Sequence, residues 1–123
     1  MRKILIISLL MLVVVIVIIM IMNKTPDFPA NEINDSDAID KLRQSETDIV
    51  LVGNAEDKEW YLTLFNKGEG QKNFIKEMEN KGWTFETQEG SGFLFRKGEQ
   101  ELKASCVIWN KKYNVCHAPE TNN

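Results

Sequence analysis

Histidine, cysteine and basic charge are scarce in this chain, and each scarcity removes a class of function. One histidine, His117, stands among 123 residues. Zinc takes three or four well-spaced ligands, and His117 with two cysteines does not supply them, so no metal site is expected. A nucleophilic site of cysteine, histidine and carboxylate would have to be built on His117 beside Cys116, near the end of the chain. The plainer reading is an exposed histidine at a strand end. The two cysteines, Cys106 and Cys116, are not spaced as Cys-x-x-Cys, and no helix start or basic cluster is evident to depress a thiol pKa. Redox catalysis is therefore not expected of them.

Basic residues are outnumbered, 15 against 18 acidic, for a net charge of −3. Setting aside Arg2 and Lys3, which flank the apolar N-terminal run, 13 basic residues face 18 acidic ones. Such a domain has no electrostatic preference for nucleic acid or for anionic lipid, and no nucleic-acid partner is expected. Glycine-rich loops are nearly absent too. Gly90-Ser91-Gly92 is the nearest to one, but a phosphate loop precedes a helix and carries a lysine. This one precedes a strand and reads as a hairpin turn. Asp35, Asp37 and Asp40 lack the glycine and distant glutamate of a calcium loop and read as acids capping a helix. No cofactor is implied.

One long run is present. Residues 4–22, ILIISLLMLVVVIVIIMIM, are apolar except for Ser8 and contain no glycine, proline or charge. As a helix they reach roughly 28 Å at about 1.5 Å per residue, close to the bilayer hydrocarbon thickness of about 30 Å. A cleaved secretory signal has a shorter core and a small-x-small cleavage site, and neither is seen. The run is expected to be an uncleaved anchor. Arg2 and Lys3 precede it, and acids soon outweigh Lys24 after it, so the N-terminus is expected in the cytoplasm and the remainder outside. Nothing in the run suggests helix pairing or an ion path. The bilayer is its expected partner.

The chain then divides as a stub (1–3), the anchor (4–22), a linker (23–34), an extracytoplasmic domain (35–118) and a flexible tail (119–123). Pro26 and Pro29 stop the anchor helix from continuing. Phe28 between them either rests at the lipid interface or begins the domain core. Asn23-Lys24-Thr25 and Asn34-Asp35-Ser36 match the N-glycosylation pattern, which counts for little here.

Within the domain, 35–44 reads as a helix with Ile39 and Leu42 on its apolar stripe. Residues 48–52 and 60–65 read as strands of a hairpin. Residues 71–81 read as a second helix, with Phe74, Ile75 and Met78 on one face and Lys81-Gly82 as its stop signal. Apolar residues then recur with period two. Strands over 83–88, 93–96, 102–109 and 112–117, joined by short polar turns, read as an antiparallel meander. The fold class is α+β: an N-terminal transmembrane helix, then a mainly antiparallel sheet of about six strands and two short helices, expected on one face of it. This layout resembles that of small single-pass surface proteins of Gram-positive bacteria, a likeness of architecture that assigns no residue a role.

The last hairpin can be read further. If Cys106 opposes Cys116, the turn centres on Lys111, Trp109 faces Tyr113 and Val107 faces Val115. These are good cross-strand pairs on one face, with the cysteines on the other. An even cysteine count in a small extracytoplasmic domain favours a disulfide, and Cys106–Cys116 is the expected one.

For function, Trp60, Trp83, Trp109 and Tyr113 are the candidate aromatic binding surface, against core packing as the plainer use of the tryptophans. Glu86, Glu89, Glu99 and Glu101, near the Gly90–Gly92 turn and its neighbour, are the candidate carboxylates of an envelope-acting enzyme or enzyme subunit, against a solvated acidic face. With no catalytic set evident, the expected function is a membrane-anchored interaction or accessory protein, of immunity type or part of an envelope complex. Its partner would be a protein or peptide. A purely structural cap on a membrane complex is the third possibility.

Overall fold

The computed structural model describes residues 1–24, 26–66 and 68–121. Thr25 of the first glycosylation pattern, Lys67 and the last two residues of the tail lie outside them. The elements in order are α1 (Arg2–Met22), α2 (Asp35–Gln44), β1 (Ile49–Ala55), β2 (Lys58–Leu64), α3 (Glu69–Asn80), β3 (Thr84–Glu89), β4 (Gly92–Lys97), β5 (Gln100–Trp109) and β6 (Tyr113–Pro119). The fold is α+β, as the residue pattern predicts. α1 is long and apolar enough to cross a membrane, and the rest of the chain buries none of its side chains.

Local chemistry explains the ends of the helices. Asn34 caps α2, its side chain accepting from the Asp37 N–H at 3.2 Å, so the cap lies one residue before the expected acids. Those acids, Asp35 and Asp37, occupy the first turn, and Lys41 and Arg43 the last, which suits the helix dipole at both ends. α3 stops as its sequence predicts. Gly82 takes a φ of +93°, and the Trp83 N–H reaches back to the Met78 carbonyl at 3.1 Å, a Schellman closure.

The six strands form one antiparallel sheet in the order β1-β2-β6-β5-β4-β3. The first hairpin and the later meander are joined where β2 pairs with β6, Leu62 opposite Val115. The turn between β1 and β2 is tighter than the 53–59 gap between the two expected strands. Only Glu56 and Asp57 lie between the strands, both in the left-handed region.

The two domain helices are not gathered on one face. α3 lies on one side, where Phe74 and Met78 pack with Tyr61, Phe93, Phe95 and the two cysteines. α2 lies on the other, where Ala38 and Leu42 pack with Val52, Trp60, Leu62, Trp109 and Val115. The cause is β2. Trp60, Tyr61, Leu62 and Thr63 are all buried, so consecutive residues pointing to opposite faces each need cover.

Part of the expected linker belongs to the domain as well. Phe28 is 2% exposed and Ala30 fully buried. Phe28 meets Trp109 and Trp60 edge-on at 5.2 and 6.0 Å between ring centres, and its N–H is held by Asp35 Oδ1 at 2.9 Å. The apolar sheet face beneath supplies the reason: burying an aromatic ring outweighs leaving the segment free. At the other end the strand extends into the expected tail. β6 runs to Pro119, and the Glu120 N–H bonds the Asp57 carbonyl at 3.1 Å.

Candidate functional site

The cover of the sheet is uneven. α3 packs on β1, β2, β3 and β6 on one face, whereas α2 packs on β1 and β2 on the other. Where α2 and the 26–33 segment end, the outer face of β3, β4 and β5 is left open. It presents Glu86, Leu94, Arg96, Glu101, Lys103 and Val107, all exposed or half-exposed. Period-two alternation builds it. On β4, Phe93 and Phe95 point into the α3 core while Leu94 and Arg96 point out. Arg96 is the centre of its charge. Its guanidinium meets Glu86 Oε1 at 2.5 Å and Glu101 Oε1 at 2.8 Å.

This geometry separates the candidate carboxylates. Glu86 and Glu101 share one cation instead of facing each other. Glu89 and Glu99 are exposed in different hairpins, at opposite ends of β4. The four do not converge on one hollow. One groove, lined by Thr87, Gly92, Phe93, Leu94 and Lys103 among others, holds Glu89, and another, beside Trp83 and Lys97, holds Glu101, so neither brings two of the four together.

The aromatic platform is not assembled. Trp60, Trp83 and Trp109 are each 4–6% exposed, Trp60 and Trp109 in the core with α2 and Phe28, and Trp83 in the core with α3. Trp60 donates Nε1–H to the Ala55 carbonyl at 3.0 Å and packs on His117, 4.7 Å between ring centres. Trp109 donates to the Pro26 carbonyl at 2.9 Å. Trp83 belongs to the α3 core, with Lys97 Nζ 5.5 Å above its ring. Of the expected binding surface only Tyr113, half-buried beside Trp109 at 5.6 Å, retains access to solvent. Each indole body buries more apolar area than a small sheet can leave wet, and the N–H groups of Trp60 and Trp109 each find a backbone carbonyl.

Cys106 and Cys116 are bonded, directly opposed, with Cα atoms 4.0 Å apart. The predicted register is observed, Val107 with Val115 and Trp109 with Tyr113. Both cysteines are buried in the α3 core.

One network was not predicted from the residue pattern. Lys81, just past α3, meets Glu59 Oε2 at 2.9 Å and the Tyr61 hydroxyl, which itself donates to Glu59 Oε2 at 2.8 Å. Burial pushes the Tyr61 hydroxyl pKa up to about 12, against the pull of Lys81. For Lys81, burial works to lower the pKa, but the bonds to Tyr61 and Glu59 outweigh it and the group ends above its ordinary value. For Glu59, burial raises and Lys81 and Tyr61 lower, with a net downward shift. Glu59 and Tyr61, two apart on a strand, share a face, which the sequence does show. That Lys81 returns to them depends on the packing of α3. The three tie α3 to β2 and leave no free acid or base. Burial, with Lys58 nearby, lowers the His117 pKa, so this half-buried imidazole is neutral at pH 7.

Asn114 is the one buried polar side chain with neither amide atom bonded, among the described residues. Gly70 of α3 lies directly over it. A Cβ there would meet the Asn114 amide, and the Leu64 carbonyl at 2.6 Å, so the space is filled by the helix and not open to a ligand. No group of three or more metal-ligating side chains occurs among the described residues. Compared with family models, curated proteins and solved structures, the chain matches none.

Proposed function

We propose that this chain is a single-pass, membrane-anchored accessory protein whose α+β domain lies outside the cytoplasmic membrane and takes a protein partner on the outer face of β3, β4 and β5. The observation that carries the reading is the half-covered sheet: an open face with Val107 exposed and Leu94 half-exposed among paired and unpaired charges. Apolar residues framed by charge suit a protein contact of modest size. The bonded cysteines suit an oxidising compartment. The Arg2-Lys3 flank and the unshielded α1 suit an anchor with its N-terminus inside.

The test is photo-crosslinking in intact cells from a benzophenone side chain at position 94, with position 76 on α3 as the control. A discrete adduct from 94, absent from 76 and lost when Lys103→Glu is added, is the expected result. Equal adducts from both positions, or none from 94, would overturn it.

A further inference from the structure

Outside α1, the described residues expose five large apolar side chains: Leu51, Leu64, Phe65, Val107 and Ile108. Three of them, Leu64, Phe65 and Ile108, lie at one end of the sheet. Leu64 opposes Tyr113, the Phe65 N–H bonds the Lys112 carbonyl at 2.7 Å, and Ile108 opposes Asn114. The β5–β6 turn at this end adds Lys111 and Lys112, both exposed. The chain enters the domain at the same end. Trp109, the last residue of β5, holds the Pro26 carbonyl at 2.9 Å, and Pro26 is four residues beyond Met22, where α1 ends.

Those four residues span at most about 14 Å. A headgroup layer is roughly 5–8 Å thick on each side of the hydrocarbon. The tether is therefore too short to hold this end of the sheet far from the membrane. Aromatic and aliphatic side chains beside lysines are also what a headgroup layer accepts. Acids at this end limit the electrostatic share of the contact. Glu69, in the first turn of α3, is paired with Lys72 at 3.1 Å. Glu46 and Asp48 before β1, Asp27 beside Pro26 and Glu89 at the β3–β4 turn are acids toward the same end, so the apolar side chains carry the contact and the lysines orient it.

We propose that the end of the sheet formed by Leu64, Phe65, Ile108, Lys111 and Lys112 rests on the phospholipid headgroups of the leaflet that α1 enters. The proposal depends on the anchored reading above. It stands the strands along the membrane normal and turns the open face of β3–β5 sideways, toward neighbours in the same membrane.

The experiment uses the full chain in lipid nanodiscs that carry a gadolinium chelate on a fraction of the headgroups, read by amide relaxation. Amides of 108–112 and Phe65 are expected to relax several-fold faster than those of Asp57 and Gly98, at the far end of the sheet. Combining Leu64→Ser, Ile108→Ser, Lys111→Glu and Lys112→Glu, all at exposed sites, should flatten that gradient while the signals of the core keep their dispersion. Uniform relaxation, or faster relaxation at Asp57 and Gly98, would overturn the docking. A chain that fails to enter the discs would overturn the anchor itself, whereas one that enters without a gradient overturns the docking alone.

Discussion

Strands β2 and β6 are covered on both faces, by α3 and by α2 with Phe28, and β1 in part, with Leu51 exposed, whereas β3, β4 and β5 short of Trp109 are covered by the α3 core alone. One small sheet thus contains two regimes. In the first, neighbouring residues on a strand are both core, as Trp60, Tyr61, Leu62 and Thr63 are. In the second they alternate, Phe93 and Phe95 in, Leu94 and Arg96 out. The difference shows where the domain is free to meet something else: a doubly covered strand has no spare face, and a singly covered one does.

Truncation gives the strongest contrast. Leu62→Ala, in the doubly covered half and fully buried, should lose about 2–5 kcal/mol of stability. Leu94→Ala, on the open face, should lose under about 1 kcal/mol. Chemical denaturation of the two variants measures both. Equal losses would mean that the open face is covered by part of the chain after all, and the contrast would fail.

The disulfide lies on the seam, joining β5 of one half to β6 of the other. Its cysteines are 10 apart in sequence, a loop whose closure corresponds to about 2–3 kcal/mol in the chain-entropy model. Cys106→Ala with Cys116→Ala should cost about that much. Hydrogen exchange should then rise more in β3–β5, which have one layer of cover, than in β1, β2 and β6. An equal rise in both halves would show that the sheet unfolds as one unit.

The smallest effect is expected from pH. Tyr61 and Lys81 titrate above their ordinary values in the folded chain, so the stability they contribute is present at neutral pH and is lost as pH rises. For Tyr61 the loss falls between pH 10 and about 12. Glu59 is shifted down, so its contribution is lost only in acid, below about pH 4. Denaturation midpoints at pH 7 and 11 should differ by about 1–2 kcal/mol, and Lys81→Met should shrink that difference. An unchanged difference in the variant would detach the network from the contact between α3 and β2.

Much of this architecture was readable because its signals are local. The Lys81-Gly82 stop, the 35–44 helix and the period-two runs after Gly82 each depend on residues within a few positions of one another. The register of the last hairpin follows from opposing its cysteines, since strand positions opposite each other are counted from the turn. The placement of the tryptophans was not readable in the same way. An indole on a strand looks alike whether its face meets helix or solvent, and Trp60 and Trp109 went to the core with α2 whereas Trp83 went to the core with α3. A sign of double cover was nevertheless present. The run from Trp60 to Phe65 is apolar on both faces save Thr63, whereas Thr84 to Glu89 and Gly92 to Lys97 alternate. The placement of the candidate carboxylates was hidden for a related reason: spacing in sequence did not show that Arg96 stands between Glu86 and Glu101.

By itself, the sequence determined an apolar helix long enough to cross a bilayer, the nature and order of the elements after it, and the opposition of Cys106 to Cys116. All of these rest on periodicity, turn chemistry and counting, which act over a few residues. Only the tertiary structure decided that β2 joins β6, that the helices take opposite faces, that Phe28 belongs to the core and that one half of the sheet stays open. Those outcomes come from burying both faces of β2 at once, and that requirement brings together residues distant in the chain.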